Sequence, residues 1–239
     1  MEHSLLVKIL FAGLRAGKEM QITVSGVSMN PTLFEGNHVT VQRSESYALG
    51  DVLVFLYKGE LLIHRLLKTE GDRFFCKGDH AFRIEDFTQE AIAGKVVQVG
   101  NAPLPPFPPP LISLSYQIGR NFRKNGFRAD KTKESGIYRF YHQILWKDET
   151  QTMEYKKNPK MDYIPADDTS LAVFDPESGD THFFDETGID ILNCLDEPCD
   201  LERLLARLCE IYNATPDDIR ADVLEFLADC IAKKVIEVL

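Results

Sequence analysis

The chain has 239 residues, of which 44% are hydrophobic and 27% charged, and its formal net charge is −10 at pH 7. This composition predicts a globular protein of one large or two small domains, and the acidic balance argues against generic binding to nucleic acid or an anionic membrane surface. The five cysteines form no C-x-x-C pair, so we expect reduced thiols and a cytoplasmic location.

The first predicted element is an amphipathic helix in SLLVKILFAGLRA, residues 4–16. Its apolar side chains follow helical spacing and include Leu5, Leu6, Ile9 and Leu10. Lys8 interrupts this run, which is shorter than the roughly 20 apolar residues that cross a bilayer. We therefore expect no transmembrane segment and a helix packed on the next domain, while contact with a membrane interface stays open.

Residues 21–100 consist of short alternating segments separated by turn residues. The strand candidates are QITVSG, HVTVQR, DVLVFLY, ELLIHRLLKTE, RFFCKG and GKVVQVG. Such frequent short strands predict a mainly β domain that coils into a small barrel-like sheet.

A glycine-containing turn follows the first strand candidate, in VSGVSMNPTLFEG at positions 24–36, and presents Ser28. A serine on a tight turn beside backbone N–H donors has the placement that a nucleophile requires. Met29 and Pro31 are expected to shape this turn and the substrate cleft. Serine, glycine and proline also form ordinary turns, so this segment alone is a weak signal.

Further motifs follow the serine turn in a fixed order. They are the "GD-V" of LGDVLVF, the "HR" of LLIHRLL and the "KGD…D" of CKGDHAFRIED. With the "G-x-SM-x-PTL" of the serine turn, this order resembles the clan of type I signal peptidases and LexA-type serine proteases. The resemblance covers roughly residues 21–100 and implies a serine endopeptidase with a coiled β fold.

The base that would activate Ser28 is predicted to be His64, in the position where bacterial members of the clan have lysine. This choice resembles the Ser–His signal peptidases of the endoplasmic reticulum and archaea, and an imidazole titrates near neutral pH. Two residues before Ser28 stands Gly26, so the oxyanion would rely on backbone N–H groups. The alternative is that His64 is a surface histidine without a catalytic role.

A histidine base usually needs an orienting carboxylate, and three are candidates: Asp79, Glu85 and Asp86. The resemblance assigns two acidic positions to the last motif. Asp79 matches the first, while spacing permits either Glu85 or Asp86 for the second. We favour Asp86 as the partner of His64 and Asp79 as an organiser of the site. The alternative is that these carboxylates only cap turns.

Residues 101–160 differ in composition from what precedes them. Six prolines in NAPLPPFPPPLI, residues 101–112, predict an extended, stiff linker without a helix. A segment rich in basic and aromatic residues follows, and we interpret it as an amphipathic helical connector. Nucleic-acid binding is a less favoured alternative, and contact with an acidic peptide or acidic domain stays open.

Residues 161–239 are predicted to form three strands and then three helices, an α+β, winged-helix-like arrangement. The strands are MDYIPA, SLAVFD and THFFD, and the helices are ETGIDILNCL, LERLLARLCEIY and the segment that begins at Pro216. Asp200 and Thr215 are the expected N-caps of the last two helices.

The segments SLAVFDPESGDTHFFDETGIDIL, LERLLARLCEIY and DDIRADVLEFLADCIAKKVIE resemble PqqD-like proteins, which recognise the leaders of ribosomally made peptides. The resemblance implies that a leader peptide adds a strand to the sheet edge at residues 180–184, including Phe184, and lies against the third helix. Val223, Phe226 and Leu227 would line or support that groove, unless they are simply core. The acidic third helix argues against the competing interpretation, a DNA-reading winged helix.

The predicted organisation has four parts: a helix in 1–20, a protease domain in 21–103, a connector in 104–160 and a peptide-recognition domain in 161–239. The predicted function is a serine endopeptidase that binds and cleaves a precursor peptide. A non-catalytic scaffold that presents the precursor to a separate modifying enzyme is the alternative, and a self-cleaving regulator is less favoured. No cofactor and no metal are predicted, because the six histidines and five cysteines lack ligand spacing.

Overall fold

A computed structural model describes residues 5–146, 153–167 and 169–239. Residues 147–152 of the predicted connector, residue 168, and residues 1–4, which include the start of the predicted first helix, lie outside the described residues. The chain divides into two compact units, Met1–Lys133 and Glu134–Leu239, called here the N-terminal and C-terminal units. The mixed fold class is confirmed, while the four-part division stays a prediction.

The N-terminal unit begins with a helix, continues as a mostly β region and ends with two helices. Its helices are α1 (Leu5–Arg15), α2 (Pro109–Lys124) and α3 (Ala129–Lys133). Its strands are β1 (Met20–Thr23), β2 (His38–Gln42), β3 (Val52–Tyr57), β4 (Glu60–Glu70), β5 (Arg73–Lys77), β6 (Glu85–Thr88), β7 (Ile92–Val99) and β8 (Ala102–Pro103). A 3₁₀ turn, Gln89–Ala91, joins β6 to β7.

These strands form one curled antiparallel sheet in the order β1-β2-β7-β3-β4-β5-β6, with β8 paired to β7. Two apolar clusters stabilise it. One includes Val39, Val54 and Met29 and receives Leu10 and Leu14 from α1. The other surrounds stacked aromatic rings, of which Phe55 and Phe87 lie 3.9 Å apart between centroids. The predicted packing of the first helix on this domain is therefore present, although Leu5, Leu6 and Ile9 remain exposed.

Helix α2 begins inside the proline-rich segment, at Pro109. The prediction of no helix in residues 101–112 was therefore wrong. Proline is excluded from helix interiors because it lacks an N–H. The N–H groups of the first helical turn have no helical partner, so Pro109 and Pro110 remove no helical hydrogen bond there.

The C-terminal unit contains the predicted three strands and three helices, together with further elements. Its helices are α4 (Gly136–Trp146), α5 (Glu186–Asn193), α6 (Leu201–Tyr212) and α7 (Pro216–Ala232). Its strands are β9 (Glu154–Lys157), β10 (Asp162–Pro165), β11 (Leu171–Phe174), β12 (Thr181–Phe184), β13 (Cys199–Asp200) and β14 (Ile236–Val238).

The strands of this unit form two small antiparallel sheets, β10-β11-β12 and β13-β9-β14. Strand β12 is an edge of the first sheet, as predicted for residues 180–184. The helices begin at the expected caps: Asp200 accepts from the backbone N–H of Arg203, and the Asp218 carboxylate accepts from that of Thr215.

No helix among the described residues is long and apolar enough to cross a membrane.

Candidate active site

The loop between β1 and β2 carries Ser28 and is anchored by apolar side chains. Val24 and Leu33 are buried in the sheet core, as is Met29. Gly26 adopts a positive φ of 84°, which an L side chain rarely accepts, and its N–H donates to the Glu35 carboxylate. The loop therefore holds the half-buried Ser28 on a fixed backbone.

The side chain of His64 lies between Ser28 and a carboxylate, which is that of Glu85. Its Nδ1 is 2.8 Å from Glu85 Oε2, and its Nε2 is 3.1 Å from Ser28 Oγ. His64 is 6% exposed and Glu85 is 5% exposed, so solvent competes little for these bonds. Because a carboxylate only accepts hydrogen bonds, Nδ1 carries the proton and Nε2 is left to accept from the serine hydroxyl. This is the geometry of a nucleophile, a base and an orienting acid.

Asp86 does not contact His64, so the structure contradicts its choice as the orienting carboxylate. Side chains alternate along β6, where Glu85 is buried and Asp86 is exposed. Asp86 instead pairs with Arg73 on the exposed surface. Of the two carboxylates that spacing left open, the one next to the histidine is Glu85.

Asp79 lies in a buried network beside Ser28, His64 and Glu85. Its two carboxylate oxygens accept from Arg65 Nε at 2.8 Å and Nη2 at 2.6 Å. Thr32 Oγ1 donates to the same carboxylate at 2.5 Å. This arrangement ties β4, which carries His64, to the loop that carries Ser28, and it is compatible with the predicted organising role of Asp79.

The Arg65 guanidinium has three further partners, of which one is Thr32, whose Oγ1 accepts from Nη2 at 3.2 Å. Its Nη1 donates to the Gly50 carbonyl at 2.8 Å, and the Phe107 ring covers the guanidinium at 3.7 Å from the ring centroid. Phe107 belongs to the proline-rich segment, and no pattern in the sequence indicated this contact.

The backbone of residues 78–80 packs directly against the serine. The N–H of His80 donates to the Ser28 carbonyl at 2.8 Å. A Cβ on Gly78 would lie 2.5 Å from that carbonyl and 3.0 Å from His64 Nε2. Only glycine therefore permits the loop to approach both residues this closely. His80, to which the sequence assigned no role, contributes its backbone.

Lys77 is a fully buried cation that sequence reasoning missed. Its Nζ donates to the carbonyls of Gly78 and Ala81, at 2.8 and 2.9 Å. Burial lowers the pKa of Lys77 from 10.5 to about 8, and the carboxylates of Asp79 and Glu85 oppose that shift. Lysine is rarely buried without partners, so a surface position was the ordinary expectation for Lys77. The only sequence signal for burial was its place beside Gly78 and Asp79 in the last motif.

This lowered pKa predicts a specific dependence of stability on pH. Between about pH 8 and 10.5 the unfolded chain holds the Lys77 proton more strongly than the folded chain, so stability rises with pH. We expect the free energy of unfolding of the wild type, relative to Lys77→Met, to increase by on the order of 2 kcal/mol between pH 7 and 9.5 in denaturant titrations. Lys95→Met, which removes a partly exposed lysine, is the control. If the difference in free energy of unfolding between the wild type and Lys77→Met did not change with pH, the lowered pKa would be contradicted.

The predicted peptide-binding residues of the two units differ in exposure. Met29 is 2% exposed and belongs to the core, so it shapes the serine loop without presenting a surface to substrate, whereas Pro31 is half-buried. In the C-terminal unit, Leu227 is fully buried and Phe184 lies under Phe226, 5.9 Å away between ring centroids. Leu227 therefore supports the groove and does not line it.

A cavity of about 560 Å³ lies among α5, α6 and α7 of the C-terminal unit. Val223 and Phe226 of α7 line it, as the sequence predicted. We call this cavity the helix groove; its other lining residues are Asp185, Thr187, Gly188, Ile191, Leu208, Tyr212, Ile219 and Asp222.

All five cysteines are free thiols, and four of them are buried. The part of the chain that the structure describes contains no group of three or more histidine, cysteine or acidic residues placed to hold a metal ion.

Comparison with protein-family models finds two partial matches in this chain. Residues 5–97 match the family described as Peptidase S24-like, and residues 171–236 match the family described as Coenzyme PQQ synthesis protein D (PqqD). Comparison with curated proteins gave no match. Both resemblances predicted from sequence motifs are thus confirmed in their predicted order, because the peptidase S24-like match precedes the PqqD match.

Proposed function

We propose that the protein is a serine endopeptidase that cleaves a ribosomally made precursor peptide after capturing its leader. The observation that carries this proposal is the contact chain Ser28–His64–Glu85, with bonds of 3.1 and 2.8 Å. The match to a peptidase family supports it independently of that geometry.

In the proposed reaction, Ser28 Oγ attacks the scissile carbonyl while its proton passes to His64 Nε2. Glu85 accepts the hydrogen bond from His64 Nδ1–H and stabilises the imidazolium that forms. His64 then gives the proton to the leaving amine, and water hydrolyses the acyl-enzyme by the same route. The backbone N–H of Ser28 would stabilise the oxyanion, since Gly26 has no side chain to help.

The C-terminal unit would supply recognition. Strand β12 is a sheet edge to which an extended peptide can pair, and the helix groove offers apolar surface for its side chains. Covalent linkage of the two units would raise the effective concentration of the bound precursor at Ser28. The five free thiols are compatible with work in the reducing cytoplasm.

Covalent labelling tests the catalytic half of the proposal. A fluorophosphonate probe should label the wild type at Ser28, located by peptide mass spectrometry, and should not label Ser28→Ala or His64→Ala. A free serine hydroxyl is a weak nucleophile without a base, so labelling requires the activated pair. Wild-type labelling no stronger than that of the variants would instead favour the non-catalytic scaffold.

A further inference from the structure

The helix groove is apolar at its floor and acidic at its rim. Ile191, Leu208 and Val223 form the buried floor, and Ile219 and Phe226 are half-exposed beside them. Apolar side chains of a bound peptide would be removed from water here, which favours their binding.

The charged groups at this groove are of one sign. Asp185 and Asp222 line it, and Glu225 follows Asp222 by three positions, on the same face of α7. Asp222 and Glu225 have no ion-pair partner among the described residues, and both are exposed. Asp185 is partly engaged, because its carboxylate accepts from the N–H of Gly188 as a helix cap.

Among the described residues that line the groove, no basic side chain accompanies these carboxylates, since none is lysine or arginine. Arg220 is next in sequence to Ile219, but both of its terminal nitrogens donate to Glu202, at 2.8 and 3.0 Å. The groove therefore carries a negative potential that a ligand must match.

We propose that the helix groove selects a basic, amphipathic peptide segment, in which apolar residues that fill the floor are flanked by lysine or arginine. This inference rests on the proposed function, since it names the class of leader that the C-terminal unit captures. Acidic segments would meet like charges at the rim and be rejected.

Selection from a library of short random displayed peptides on the immobilised full-length Ser28→Ala chain tests the inference without a known ligand. Phe226→Ala in the same background removes groove surface without changing charge and defines groove-dependent binders. Groove-dependent sequences should contain several-fold more lysine and arginine than aspartate and glutamate beside their apolar positions. Circular dichroism checks that Phe226→Ala is folded, and Ile219→Ala replaces it if it is not.

The selected peptides are then synthesised and measured by fluorescence anisotropy. Asp222→Asn with Glu225→Gln should weaken binding between about two- and tenfold, because each removes one exposed charge pair. Asp217→Asn, which removes an exposed carboxylate five positions before Asp222 and therefore on another face of the same helix, should leave the affinity unchanged.

Two other outcomes are distinguishable. Groove-dependent peptides that are neutral or acidic, or basic peptides weakened equally by Asp217→Asn, would overturn the inference while leaving leader capture intact. A library without any groove-dependent binder would overturn the capture step of the proposed function together with this inference, and the labelling of Ser28 would still judge the catalytic step separately.

Discussion

Replacing Glu85 by glutamine is expected to slow the labelling of Ser28 by a fluorophosphonate about 10³- to 10⁴-fold. The amide keeps the size of the side chain but removes the charge that stabilises imidazolium. It can also present an N–H to His64 Nδ1, which would leave Nε2 protonated and unable to accept from the serine. The measurement is the second-order rate constant of labelling for each variant.

Asp86→Asn is the matched control, one residue away and of the same acid-to-amide type. Because Asp86 lies on the exposed face of β6 and pairs with Arg73, its replacement should leave the labelling rate unchanged. Equal losses in both variants, or a normal rate in Glu85→Gln, would remove Glu85 from its proposed orienting role.

Asp79→Asn is expected to lower the free energy of unfolding by about 3–5 kcal/mol. The change leaves the Arg65 guanidinium, which is 1% exposed, without the carboxylate that holds it through two hydrogen bonds. A buried charge that loses its partner retains its full desolvation cost, so the loss exceeds the net value of the pair itself. Urea unfolding followed by circular dichroism measures the effect.

Asp86→Asn serves again as the comparison, because its pair with Arg73 is about half-exposed on both sides. Such surface pairs contribute about 0–1 kcal/mol. If the two variants lost similar stability, the Arg65–Asp79 pair would not be the structural tie between β4 and the serine loop that its hydrogen bonds indicate.

Much of the fold was predictable because its strands are short, alternating and bounded by turn residues. The segments HVTVQR, DVLVFLY and RFFCKG became β2, β3 and β5, and Thr215 with Pro216 marked the start of α7. The small strands β9, β13 and β14 were not predicted. They form by pairing between segments that are distant in sequence, and no local sequence pattern indicates such pairing.

The site was predictable only where the order of motifs along the chain indicates it. Ser28 and His64 could be assigned a role because their motifs occur in order, and the structure places their side chains together. The choice between Glu85 and Asp86 depended on which face of β6 points inward, and a one-residue change of register reverses that face. Burial of Lys77 and the contact between Phe107 and Arg65 arise from tertiary packing, which spacing along the chain does not encode.

The ring of Phe107 over Arg65 changes how the proline-rich segment is understood. By composition this segment is the natural place to divide the chain, yet it places a half-buried aromatic ring over the buried Arg65, and α2 then packs against β4 and β5. Proline restricts φ, so the segment loses less conformational entropy than most sequences when it is held in place. Residues 104–124 therefore belong to the unit that carries the candidate active site, and a fragment that stopped at residue 103 would lack the Phe107 ring that covers the buried Arg65–Asp79 pair.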